Sequence, residues 1–299
     1  MDIGILGPLV VGAHGREAVP SAPKPRRLLA LLAARADQVV SVDLIVDEIW
    51  ESSPPISVVT TVQTYIVLLR RLLAESLQVS GAEVTKDVLT YTGWGYRLAS
   101  YTGNHDARLF TRYADIGRNA LVAGDSCRAS AELHKALAFW RGPALADVRV
   151  GPHLLAHRTS LEEQHMCAIE QRIEADLRLG RHHELIGELS GLVVQHPLHE
   201  NVHSLLMISL YRSGRPGQAI ETFRKLQQNL RNELGIEPSM HVQTVLQGIL
   251  RRDSSLEADQ RSELFLRELT VPSRPTGREK RLCTEALPPG RSRLNLDAS

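Results

Sequence analysis

Apolar positions in the first hundred residues switch repeatedly between a strand-like and a helix-like period. Ile3–Val11 is a run of Ile, Leu and Val bounded by glycines, which predicts a strand. A turn-rich stretch from His14 to Pro25 follows. Leu28, Leu29, Leu31 and Leu32 then recur at helical spacing within Arg26–Ala36. Leu44, Ile45, Ile49 and Trp50 do the same within Val42–Trp50, where Ser41 is placed to cap the helix. Ser52-Ser53-Pro54-Pro55 breaks the chain, and a third helix is predicted from about Ser57 to Ser76. Glu83–Leu98 is short, β-branched and aromatic, with Gly93-Trp94-Gly95 as a turn, and reads as a β-hairpin. Strand, three helices and hairpin form the element order of a winged helix-turn-helix.

The third helix is two-faced. At about 100° per residue, Val62, Ile66, Leu69 and Leu73 fall on one stripe, predicted to pack on the core. Thr60, Thr64 and Arg71 lie opposite, with Ser57, Val67 and Leu68 close by and Thr61 and Gln63 at the flanks. Those groups suit a DNA major groove. Gln pairs bidentately with adenine, Thr and Val touch a thymine methyl, and Arg reaches guanine or phosphate.

From Asn104 to Asp253 the pattern is helical almost throughout. Leu179-Gly180-Arg181 and Ser213-Gly214-Arg215 mark turns 34 residues apart, the period of a tetratricopeptide repeat. Ala123-Gly124-Asp125 marks an earlier, less regular unit. Ser254–Ser299 starts helix-like at Glu263–Leu269 and becomes rich in Pro, Arg and Ser from Val271. This basic segment has little to bury and is expected to be mostly disordered. The expected organisation is therefore 1–100, 101–253 and a 254–299 tail. The fold class is mainly α, a winged helix-turn-helix followed by a tetratricopeptide-like all-helical domain.

Composition narrows the function. The chain has 299 residues and 4% aromatics, so its core is aliphatic. Lys+Arg total 35 against 34 Asp+Glu, which excludes a uniformly basic nucleic-acid binder. The first hundred residues carry nine Lys/Arg and ten Asp/Glu, a net of −1. Any DNA contact must come from local clusters: Lys24, Arg26 and Arg27, then Arg70 and Arg71, then Arg97 on the hairpin. Cys127, Cys167 and Cys283 are odd in number and far apart, so a disulfide scaffold is excluded and a reducing compartment fits. Cys127 and Cys167 are expected as small core hydrophobes. No run of apolar residues is long enough to span a membrane, and a soluble cytoplasmic protein is expected.

His199-Glu200-Asn201-Val202-His203 spells the H-E-x-x-H of zinc peptidases. A third ligand would have to be Glu221 or Glu233, both beyond the Gly214 turn, so no metal site and no catalysis is expected. Eleven of the 12 histidines lie between Asn104 and Asp253 and are read as exposed helix positions. The chain carries no phosphate-binding glycine loop, and no cofactor is expected.

Several segments together resemble one family. Ile5-Leu6-Gly7-Pro8-Leu9-Val10-Val11, Leu28–Leu32, Val39–Asp43, Ile49-Trp50, Pro54-Pro55, Val62–Tyr65, Leu69–Leu73 and Gly95-Tyr96-Arg97-Leu98 resemble its winged helix. Trp140-Arg141-Gly142, Arg172–Leu177, Leu179–His182, His196-Pro197-Leu198, Leu210–Arg215 and Glu233–Pro238 resemble its helical domain. The family is that of the Streptomyces antibiotic regulatory proteins, an OmpR-type winged helix joined to a bacterial transcriptional activation domain. The resemblance covers roughly Met1 to Asp253. It implies an activator of a secondary-metabolite gene cluster that binds promoter direct repeats, as a homodimer on DNA, and recruits RNA polymerase through its sigma and alpha subunits. It makes Ser57–Ser76 the recognition helix and Glu83–Leu98 the wing. Thr60, Thr61, Gln63, Thr64, Val67, Leu68, Arg70 and Arg71 then face DNA with Trp94, Tyr96 and Arg97. Glu51, Ser52, Ser53 and Ile56 face polymerase. The chain departs from the family's polar or basic residues at Val59, Val67 and Leu68. That departure keeps a second reading alive, a tetratricopeptide-type protein-binding scaffold with weak or no DNA binding.

Overall fold

Gly7 adopts φ 145°, and a Cβ there would lie 2.9 Å from the Cβ of Arg141. With Pro8 beside it, the predicted Ile3–Val11 strand folds back on itself. It becomes β1 (Asp2–Gly4) and β2 (Val10–Ala13), with Ile3 opposite Val11, and β3 (Arg16–Glu17) completes an antiparallel sheet. The computed structural model that shows this describes residues 1–100, 103–253 and 256.

Three helices come next: α1 (Pro23–Ala34), α2 (Val42–Trp50) and α3 (Val58–Leu77). Ser41 caps α2 as expected, its hydroxyl accepting from Leu44 N at 3.2 Å. The predicted hairpin is shorter than its sequence suggested. Its first part is the short helix α4 (Gly81–Glu83) and a π-turn, Val84–Val88. Val84 and Val88 sit four residues apart and are both buried, so packing overrides their β propensity. The strands are β5 (Leu89–Tyr91) and β6 (Gly95–Leu98). A third strand, β4 (Val39–Ser41), pairs with β6, and the sheet order is β4-β6-β5.

Seven further helices make up the helical region: α5 (Asp106–Ala123), α6 (Ser126–Leu137), α7 (Pro152–Arg178), α8 (His182–Gln195), α9 (Glu200–Arg212), α10 (Pro216–Leu234) and α11 (Met240–Arg251). Gly180 and Gly214 occupy equivalent turns, after α7 and after α9, with φ 79° and 74°. Left-handed glycines end helices without a Cβ penalty, which explains the repeat period. Cys127 and Cys167 are exposed, not in the core. Cys127 lies outside the Ala129, Leu133 and Ala136 stripe by which α6 packs. The expected tail lies, apart from Leu256, outside the described residues, as does Cys283.

One apolar core runs from Met1 to Ala175 and unites the winged helix with α5, α6 and most of α7. A second gathers Ile173 to Leu256. The position expected to separate two domains, near residue 100, therefore falls inside the first core, and α7 belongs to both.

Three carboxylates fasten the winged helix to the helical region. Asp106 accepts from Ile5 N at 2.9 Å and Leu6 N at 3.0 Å, and pairs with Arg141 at 3.1 Å. Asp147 accepts from Leu9 N at 2.7 Å and pairs with Arg26 at 3.2 Å. Glu48, fully buried on α2, accepts from Gly151 N at 2.6 Å, His153 N at 2.9 Å and Leu154 N at 3.1 Å. It supplies acceptors to the otherwise unpartnered first turn of α7. Glu48→Ala strands those N–H groups. It should lower unfolding stability by about 3 kcal/mol, read from the urea midpoint, with Glu48→Gln losing less.

Candidate nucleic-acid interface

Val62, Ile66, Leu69 and Leu73 are buried, so α3 turns its predicted apolar stripe inward. Val59, Thr60, Gln63, Thr64, Val67 and Arg71 are exposed, and Thr61 and Leu68 are half-buried. The Thr61 hydroxyl donates to Ser57 O at 3.0 Å, and that of Thr64 to Thr60 O at 2.9 Å. With their protons committed to the backbone, both hydroxyls offer only lone pairs outward. Thr64 is therefore suited to accept from a base amino group. Arg71 makes one loose contact, 3.8 Å to Glu75, with both side chains exposed.

Beside this face lies the wing. Tyr91 and Trp94 are exposed, as is Arg97, for which no acidic partner exists among the described residues. A groove of about 430 Å³ between α3 and the wing is lined by Val42, Val59, Gln63, Val67, Arg70 and Tyr91, among others. Tyr91 and Val59 were not among the residues singled out for DNA. The signal available for Tyr91 was an aromatic two residues before a glycine turn. The Glu51–Ile56 loop is exposed along its whole length, and Ile56 is fully bare.

Several expected contacts are engaged elsewhere. Arg27 is buried, and its guanidinium donates to Glu48 O at 3.0 Å. Arg26 donates to Pro20 O at 2.9 Å and pairs with Asp147. Lys24 alone of that cluster is exposed, its ammonium 5.1 Å from the Trp50 ring centre, and Trp50 stacks on Tyr65. Arg70 donates twice to Leu89 O, at 3.0 and 2.9 Å, which ties α3 to β5. Tyr96 is 6% exposed and packs on Tyr91. Arg27, Arg70 and Tyr96 thus build the scaffold. A basic residue in sequence announces charge, but not whether a free carbonyl lies within its reach.

Of the two H-E-x-x-H histidines, His199 is part-exposed and His203 is not a surface position. His203 is fully buried, and its Nδ1 lies 3.0 Å from His199 O. A carbonyl only accepts, so Nδ1 carries the proton and Nε2 is left as a buried lone pair without a partner. His199 lies 3.2 Å from Glu170. No cluster of three or more His, Cys, Asp or Glu among the described residues has the geometry of a metal site. No helix among them is long and apolar enough to cross a membrane.

Residues 15–98 match the family described as transcriptional regulatory protein, C terminal, and residues 105–250 match the bacterial transcriptional activator domain. Regulatory protein DnrI of Streptomyces peucetius is 44% identical over 257 residues, covering 86% of this chain and 94% of that one. Regulatory protein AfsR of Streptomyces griseus is 34% identical over 253 residues, 84% of this chain but 25% of the relative. The structure of Mycobacterium tuberculosis EmbR in complex with a low-affinity phosphopeptide superposes with a TM-score of 0.79. It is 30% identical and covers 90% of this chain and 68% of EmbR. The fold and its exposed α3 and wing define a transcriptional regulator with a DNA-binding winged helix and a helical activator domain. The chain belongs to the Streptomyces antibiotic regulatory protein family.

Burial holds the His203 imidazole below its ordinary value, and does the same to His105, His157, His165, His182 and His241. The unfolded chain then binds more protons than the folded one just below about pH 6.5, so stability is lost as pH falls from there. Urea midpoints should drop between pH 7.5 and 5.5, and His203→Gln should shrink that drop.

Proposed function

We propose that the chain is a cytoplasmic, sequence-specific activator of a secondary-metabolite gene cluster, binding direct repeats in promoter DNA. The observation that carries this is the outward face of α3. Thr60, Gln63, Thr64, Val67 and Arg71 stand exposed on one side of a helix whose other side is locked in the core. Hydroxyl, amide, methyl and guanidinium groups in that order match base edges and phosphates. Trp94 and Arg97 on the wing extend the contact, and Lys24 adds a cation. In this division of labour residues 1–100 hold DNA, while 101–253 place a second copy on the adjacent repeat. A linked neighbour raises effective concentration without new base contacts. The Glu51, Ser52, Ser53 and Ile56 loop is exposed throughout and is the surface offered to RNA polymerase.

One observation favours the scaffold reading. Of the basic residues expected on phosphate, Arg26, Arg27 and Arg70 are engaged within the protein. Few free cations on a winged helix of net −1 mean weak sequence-independent affinity. A mobility-shift titration on the promoters of the protein's own cluster separates the two. A discrete complex that survives excess random DNA supports the activator, and its absence supports the scaffold.

Arg71→Ala and Arg97→Ala should each weaken binding to specific and random DNA alike, and lower the slope of log affinity against log salt by about one. Arg70→Ala should leave that slope unchanged and lower thermal stability, because its guanidinium holds Leu89 O. Equal slopes for all three variants would remove Arg71 and Arg97 from the interface.

A further inference from the structure

A cleft of about 700 Å³ opens where the end of α1 meets α5 and α7. Its position and lining owe nothing to the DNA face. Ala34 and Ala36 come from the winged helix, Ala107 and Ile116 from α5, and Leu161 from α7. Three alanines among the lining residues leave space that larger side chains would fill. The volume falls within the roughly 300–1,000 Å³ usual for small-molecule sites, which favour such junctions and combine apolar walls with a few polar groups.

The charges of the rim are unbalanced. Arg108 is satisfied, bonding Asp37 at 2.6 Å and donating to Ala36 O. Asp37 in turn accepts from Ser100 N at 2.9 Å and from its hydroxyl at 2.8 Å. Burial pushes the Asp37 carboxyl up, but these bonds and the Arg108 charge outweigh it and hold it at about 2. The pair therefore stays ionised and closed. Asp115 is taken by Arg118 at 2.6 Å. Arg112 lines the cleft, is exposed, and has no acidic partner among the described residues. At the floor, His105 donates from Nε2 to Ala33 O at 3.1 Å. Burial and the neighbouring Arg35 charge lower the basicity of His157 beside it. Burial thus disfavours charge on both histidines, and among the other described lining residues the acid or base side chain left without an ion-pair partner is the cation Arg112.

We propose that this cleft binds a small organic anion, its apolar body against the alanines, Ile116 and Leu161 and its acid group on Arg112. A cation would meet Arg112 with no free carboxylate to answer it. A purely apolar molecule would forgo the one unpaired guanidinium.

Anilinonaphthalene sulfonate and its uncharged parent, phenylnaphthylamine, share one ring system and both brighten when shielded from water. Titrated into the full chain without DNA, the sulfonate should saturate one site and bind roughly fivefold tighter than the parent. Arg112→Ala should erase that preference while leaving the parent's affinity unchanged. Thr111→Trp on α5 and Gln164→Trp on α7 start from exposed positions and fill the cleft from opposite walls. Each should weaken both probes by about tenfold or more with the thermal midpoint unchanged. Equal affinity for the two probes, a preference that survives Arg112→Ala, or binding untouched by both tryptophans would overturn the proposal.

Discussion

The buried carboxylate of Glu48 sets the relation between the two halves of the molecule. It leaves α2 and closes the open first turn of α7, while Arg27 takes the carbonyl of the same residue from the other side. Residue 48 therefore holds a helix N-terminus with its side chain and an arginine with its backbone. Asp106 and Asp147 repeat the device against β1 and the segment after it. Each carboxylate is matched to backbone N–H groups. Such hydrogen bonds fix geometry and favour the ionised form. The winged helix is thus tied to the helical region at three separate places.

This internal use of charge limits what is left for DNA. A net-neutral protein that must touch phosphate has few cations to spare, and this one uses Arg26, Arg27 and Arg70 internally. What remains on the outer face of α3 is polar and aliphatic apart from Arg71. A face with so few cations offers little long-range attraction to phosphate.

Elements whose residues satisfy one requirement at a time were legible in the sequence. The α2 boundaries, its Ser41 cap, the inner stripe of α3 and the glycine turns at 180 and 214 all obey local rules. What was not legible depended on distant partners. β4 exists because β6 lies beside it. Val84 and Val88 are β-branched, yet they pack as a π-turn. Arg70 looked like half of a basic pair until Leu89 O was found beneath it. His203 looked like a surface histidine because the sequence cannot show that α9 is buried on nearly every side. Helical period alone placed Thr60, Gln63, Thr64, Val67 and Arg71 on the exposed side of α3, while Thr61 and Leu68 came out half-buried. The scaffold roles of Arg27 and Tyr96 were not legible.

The helix α7 contributes Leu154, Leu161, Ala168 and Ala175 to the first core, and Ile173 and Leu177 to the second. At about 1.5 Å per residue, its 27 residues run some 40 Å as one rod. Ala175 and Ile173 lie within one turn yet face different cores. The rod is therefore shared by the two cores. Amides in the middle of α7 sit where the two cores meet, the kind of place where local opening costs most. A repeat protein is ordinarily a chain of loosely coupled units. Here the first unit shares its core with the winged helix, so the array is not free at that end.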